Sequence, residues 1–197
     1  MFRSSAALLI GIALAAPALA ADLELRYGAL ERMVAEQLFA ADGRRYVKGT
    51  PKAKCDFAYL EAPHFSAADK AEGRLKISAK FSGRSAMDVF GRCMGMGDSF
   101  DLTILASPVA RDGLVAMDDV DVTTAKDTYY VRHVRQALKE SFQKDFKIDV
   151  RDQAKKLIFQ PREGSSFQPE LSGFNLSDVH VTSDSLVLVV EFKLVVK

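Results

Sequence analysis

Tryptophan is absent from this 197-residue chain, histidine occurs three times and cysteine twice. Without Trp, the core has to be filled by the 13 Phe together with Leu and Val. Neither Cys55 nor Cys93 has a second Cys or a His at ligand spacing, which excludes the common zinc modules. His64, His133 and His180 fall at a strand end, on a helix and on a strand, with no shared ligand spacing, so no metal and no cofactor are expected. Charge of one sign is lacking too: 27 basic residues against 26 acidic leave a net charge of +1. Nothing in that balance attracts nucleic acid or an anionic membrane surface over long range. After the first twenty residues, no apolar run approaches the length of a membrane span. Internal repeats and low-complexity tracts are missing as well.

The chain begins with Met1-Phe2-Arg3, a short apolar run over Ala6–Ala15, then Pro17 and Ala18-Leu19-Ala20. This is the pattern of a bacterial secretory signal peptide cut after Ala20, with export to the periplasm or beyond. The next residue is Ala21, not Cys, so no lipoprotein anchor is expected. Removing residues 1–20 leaves about 177, enough for one domain with a single core. It also removes Arg3, bringing basic and acidic residues level at 26 each. In an exported chain, two cysteines predict a Cys55–Cys93 disulfide, worth roughly 4 kcal/mol as an upper value on the chain-entropy model.

What is present is amphipathic periodicity. Leu23, Tyr27, Leu30, Val34 and Leu38 predict a first helix over Leu23–Ala41, stopped by Asp42-Gly43. Arg44–Ala53 reads as a connector. Cys55–Phe65 alternates as a strand, with Pro63 marking a bend or a sheet edge. Leu75, Ile77, Ala79 and Phe81 alternate with Lys76, Ser78, Lys80 and Ser82, a half-buried antiparallel strand. Gly83–Asp98 is Gly-rich and reads as irregular. Phe100–Ala106 and Leu114–Val122 flank Arg111-Asp112-Gly113 and predict a hairpin. In that hairpin Leu114, Ala116, Val120 and Val122 form the inward face. Over Asp127–Phe146, the positions Val131, Val134, Leu138 and Phe142 form one helical face, with Asp127 or Thr128 as the cap. Asp149–Ile158 reads as a short helix and Pro161–Pro169 as a loop. The period slip within Phe174–Val181 predicts a bulge. Leu186–Val196 is apolar on both faces in its first half, which suggests a central strand or one lining a second apolar surface. The expected class is α+β: a curved antiparallel sheet of about six strands packed on or wrapped around two amphipathic helices.

Candidate chemistry is sparse. Gly97-Asp98-Ser99-Phe100 resembles the opening of GDS-type esterases and lipases, in which the Ser is the nucleophile and a later Asp-x-x-His supplies base and orienter. Here the motif lies mid-chain and runs into a strand, and Asp178-Val179-His180 is one residue short. A turn at a strand start explains it as well. Asp118, Asp119 and Asp121 lack EF-hand spacing. Gly91, Gly95 and Gly97 lack the Gly-Lys-Ser/Thr of a phosphate loop. Met87, Met94 and Met96, with Val89 and Phe90, are either an adaptable apolar lip over a ligand or a core plug held by the cysteine link.

The order of elements resembles the small bacterial periplasmic relatives of the tubular lipid-binding (TULIP) superfamily, the superfamily of bactericidal/permeability-increasing protein. The resemblance rests on an N-terminal helix, long amphipathic strands, and the Arg-Asp-Gly hairpin ending in Asp119-Val120-Asp121-Val122. The Tyr130–Phe146 helix and two final strands complete it. It implies a curved sheet wrapping a helix around an apolar groove for lipid tails. The expected function is therefore a non-enzymatic exported protein that binds or carries an apolar ligand, such as a lipid acyl chain, between helix and sheet. The residues expected to line that space are Leu75, Ile77, Phe81, Leu102, Ile104, Val134, Leu138, Leu188, Val190 and Phe192. The same side chains describe an ordinary filled core. Two alternatives follow: an envelope assembly or interaction protein with a filled core, and a GDS-type esterase using Ser99.

Overall fold

Alternation of apolar and polar residues fixes which face of a strand is buried, and here it runs along strands longer than the turn signals suggest. A computed structural model describes residues 19–69, 73–158 and 169–196. Most of the expected signal peptide (residues 1–18), and most of the expected loop at 161–169, lie outside the described residues. In chain order the elements are β1 (Leu19–Arg26), α1 (Tyr27–Leu38), β2 (Arg44–Lys48), β3 (Asp56–Ala67), β4 (Leu75–Val89) and β5 (Arg92–Arg111). They continue with β6 (Leu114–Thr124), α2 (Tyr129–Asp145), β7 (Lys147–Asp149), α3 (Val150–Ile158), β8 (Pro169–Val181) and β9 (Ser185–Val196).

The class is α+β, as expected, with a curled six-stranded antiparallel sheet in the order β2-β3-β4-β5-β6-β7. The last two strands do not join it. With β1 they form a separate sheet of order β1-β9-β8, in which β9 is central, as its two apolar faces suggested. The hairpin around Asp112-Gly113 is present, pairing Arg111 with Leu114. The slip in β8 is a register shift between Leu176 and Asp178. Thr128 caps α2, its side chain accepting from the Val131 amide at 3.3 Å.

Four expectations are corrected. Leu23–Arg26 is strand rather than the first turns of a helix, because Leu23-Glu24-Leu25-Arg26 also alternates and pairs with the edge of β9. Helix α1 therefore starts at Tyr27. The connector after it contains β2, whose Arg45 points inward opposite Leu60. Within β6, the backbone bulges at Asp119, which has φ 48°, opposite the shift between Leu105 and Ser107. The bulge switches the alternation, so Val115 and Met117 turn inward ahead of Val120 and Val122, while Leu114 is only half-buried. The fourth correction concerns Gly83–Asp98, which is not irregular: it is the outer half of the β4–β5 pair.

Helix α2 packs on β6, while α1 packs on β3 and β1. Beyond Glu61, β3 has no β2 partner, and a bulge at Ala62-Pro63 turns the chain. The Phe65 amide, left facing the edge, donates to Glu31 of α1 at 3.0 Å. Tyr27 ties the start of α1 to the β8–β9 turn: its hydroxyl donates to the Thr182 carbonyl and its amide to the Asp184 carbonyl at 3.2 Å.

Burial, and secondarily the Asp184 carboxylate, raise the Tyr27 pKa. The folded state thus favours the neutral phenol, so this stability is whole below the ordinary tyrosine pKa of about 10 and is lost as pH rises through the raised folded value. Tyr27→Phe is expected to cost about 1 kcal/mol at neutral pH and to flatten the alkaline loss of stability. Urea titrations of both forms at neutral and alkaline pH measure this.

Candidate functional site

The residues expected to line a lipid space are gathered into one continuous apolar core. Leu75, Ile77 and Phe81 of β4, Leu102 and Ile104 of β5, Leu138 of α2, and Leu188 and Val190 of β9 are buried; Val134 and Phe192 are half-buried against them. Their side chains meet one another. Where α1 and α2 approach β2–β4, a crevice of about 10 Å³ remains, walled by Phe39, Leu60, Phe65, Ile77, Phe142 and Phe146 among others. That is close to the space of one water molecule.

One polar group reaches this apolar crevice. Arg45, only 8 % exposed, places its guanidinium 5.6 Å from the Phe142 ring centre and 5.7 Å from that of Phe146, the two rings stacked at 5.2 Å. Burial lowers its pKa, opposed by the Asp145 carboxylate. No carboxylate forms an ion pair with it among the described residues, so cation–π attraction is its main compensation. A roomier concavity, about 640 Å³, opens on the polar face of the sheet and is lined by His64, Ser78, Lys80, Asp101, Thr103 and Thr123. Its walls mix these hydroxyls and charges with the apolar surface of Ala62, Ala79, Leu102 and Ala125, and it lies open to solvent.

The candidate chemical groups stay apart. The Ser99 hydroxyl lies 2.9 Å from that of Ser82, and its amide donates to Asp98. Lys126 bonds the same carboxylate at 2.6 Å, holding the Asp98 pKa below the usual carboxylate range with help from the Ser99 amide. The histidines have other partners: His64 pairs with Glu31 at 2.7 Å, His180 with Asp178 at 3.4 Å, and His133 meets the edge of Tyr129. No imidazole reaches Ser99 among the described residues. Among those residues no cluster of His, Cys, Asp and Glu could hold a metal.

The feature that periodicity alone missed is the outer β4–β5 hairpin. In an antiparallel pair, opposite residues share a face. Phe81 opposite Phe100 lies in the core; farther out on the same face come Ser85 opposite Met96 and Met87 opposite Met94. These methionines are 75 % (Met87), 62 % (Met94) and 59 % (Met96) exposed, and Phe90 at the tip is fully exposed. The cluster is therefore not a core plug. Gly95 serves close pairing: a side chain there would come within 2.3 Å of the Ser85 carbonyl oxygen, whereas Gly91 takes the left-handed φ of the turn. A signal was present in the sequence, since Met87, Val89, Met94 and Met96 are evenly spaced around Phe90-Gly91.

The Cys55–Cys93 disulfide is formed and ties the start of β3 to this hairpin across 38 residues of sequence. Cys55→Ser with Cys93→Ser is expected to cost about 2–4 kcal/mol in urea unfolding and to raise amide exchange in 86–96 more than in the core strands. No protein-family model matches this chain, and no curated protein matches it by sequence.

Proposed function

We propose that this is an exported, non-enzymatic protein of the bacterial envelope that works through its surface over a filled core. The observation carrying this reading is that the expected lining residues meet one another in or against a single core, while the crevice between the helices and β2–β4, with only Ile77 of that set on its wall, holds about 10 Å³ among the described residues. Exposing apolar side chains outside while filling the inside suits a docking protein better than a container. Export is supported by the sequence of residues 1–20 and by the disulfide, which suits an oxidising compartment. Cleavage after Ala20 would leave β1 paired with β9 from Ala21 opposite Val190 onward. Among the described residues no helix is long and apolar enough to cross a membrane. Native mass spectrometry of protein purified from membrane-containing cells is expected to give the mass of the processed, disulfide-bonded chain alone. The protein should show no turnover of short acyl esters that depends on Ser99. A lipid retained in one-to-one ratio would overturn the filled-core reading.

A second reading, carriage of an acyl chain by a TULIP-like fold, is favoured by Arg45. A buried cation with no ion pair among the described residues, in an apolar crevice, is a natural receptor for the carboxylate of a fatty acid, if α2 moves off the sheet to admit the chain. On this reading palmitate raises the melting temperature, and Arg45→Met abolishes the rise. On the filled-core reading palmitate has no effect, and Arg45→Met leaves stability unchanged or increases it, as replacement of a buried ion by an apolar side chain often does.

A further inference from the structure

We infer that the β4–β5 hairpin is a membrane-docking wedge that seats Phe90 and its neighbouring methionines in the interface of an anionic lipid bilayer. The inference rests on the surface-acting reading above and names its partner.

The turn itself is the first argument. Phe90 and Gly91 have φ 53° and 79° and link Val89 directly to Arg92, the two-residue turn with both central residues left-handed. The first of those positions favours Asn, Asp or Gly, and a large aromatic there is disfavoured. Asp88 supports the turn by accepting from the Gly91 amide at 2.7 Å. Packing does not repay the Phe90 ring for its backbone conformation, because the ring is fully exposed. The chain thus holds an aromatic ring out at its farthest point, at a cost to its own fold.

Charge points to the same partner. Arg92 and Arg84 on the hairpin, and Lys52 and Lys54 just before Cys55, are exposed and have no acidic partner among the described residues. Of the acids nearby, Asp56 is paired with Lys48 at 2.7 Å and Asp98 with Lys126; Asp88 bonds the Gly91 amide and keeps its single charge at the turn, against the four basic groups. The disulfide holds Cys55 and Cys93 with their Cα atoms 5.1 Å apart, so the two basic groups stay together. A chain with a net charge of +1 therefore carries a local basic cluster around an apolar tip, with Arg92 opposite Val89 beside the turn and Arg84 farther back. Apolar residues capped by Lys and Arg match the layering of an anionic bilayer, hydrocarbon below phosphate.

The depth is bounded by the backbone. Past Ser85, β4 has no β3 partner, and β5 has no β6 partner before Leu102. Those free edges cannot enter hydrocarbon unsatisfied, so only the tip side chains insert, roughly 5–10 Å. The same free edges are where a protein strand would add, and that is the competing occupant.

The test uses the absence of Trp. In Phe90→Trp the new ring is the only indole of the chain. Its emission is expected to shift to the blue with vesicles of phosphatidylethanolamine and phosphatidylglycerol, and to shift little with phosphatidylcholine alone. In the otherwise wild-type chain, Phe90→Asn is expected to fold at least as stably, because Asn suits the turn, yet to lower vesicle co-sedimentation about tenfold or more. Arg84→Gln with Arg92→Gln lowers it about tenfold or more at low salt. An indole emission that the anionic vesicles leave unshifted would overturn the proposal, as would co-sedimentation that Phe90→Asn leaves intact. Concentration-dependent self-association through the hairpin without vesicle binding would also overturn it, while leaving the surface-acting reading standing. A lipid found inside the fold by native mass spectrometry would remove that reading without touching the vesicle result.

Discussion

The pairing of β4 with β5 is the constraint from which the rest of the molecule follows. From Leu75 opposite Ala106 to Val89 opposite Arg92 the register never shifts. An unbroken antiparallel pair keeps its side-chain period along its whole length, whether or not anything covers it. The face that carries Leu75, Ile77 and Phe81 into the core must therefore still face the same way at Met87. Inside the body, helices and the second sheet cover that face. Outside, it is bare. One continuous structural element thus supplies both the centre of the core and the largest exposed apolar feature among the described residues.

The neighbouring strands show the opposite behaviour. β3 bulges at Ala62-Pro63 and β6 at Asp119, and each bulge bends a strand around the straight pair. The curl of the sheet and the closure of the core by α1 and α2 follow from those bends. Polar groups freed by them are taken up locally: the Phe65 amide by Glu31, and the Asp119 and Leu105 carbonyls by Arg74. Tyr27 then links the second sheet to the start of α1, so the two sheets share one core. The crevice beside Arg45 is small because large side chains, Phe39, Phe65, Phe142 and Phe146 among them, stand on its walls.

Legibility from sequence varied with the range of the interaction involved. The α2 stripe, its Thr128 cap, the Asp112-Gly113 hairpin and the bulge in β8 depend on neighbours within a few residues, and periodicity revealed them. The extent of α1 was misjudged because Leu23-Glu24-Leu25-Arg26 satisfies both helical and strand spacing; the choice fell to β9, which offers a free edge far away in sequence. The division into two sheets was hidden for the same reason. The ten candidate lining residues lie in or against the core, but whether they enclose a space depends on volumes summed across several elements, which no local pattern encodes.

The methionines show the division most clearly. By itself the sequence placed Met87, Met94 and Met96 together in the Gly-rich stretch Gly83–Asp98, and pointed to a Cys55–Cys93 link. Alternation and turn chemistry are local properties of the backbone, readable without a partner. Only the tertiary structure decided that β3 and β6 end short of the hairpin, leaving those side chains in solvent. Burial is not a property of a residue or of its strand. It depends on what other parts of the chain reach, and here nothing among the described residues reaches past Ser85 to cover the apolar face.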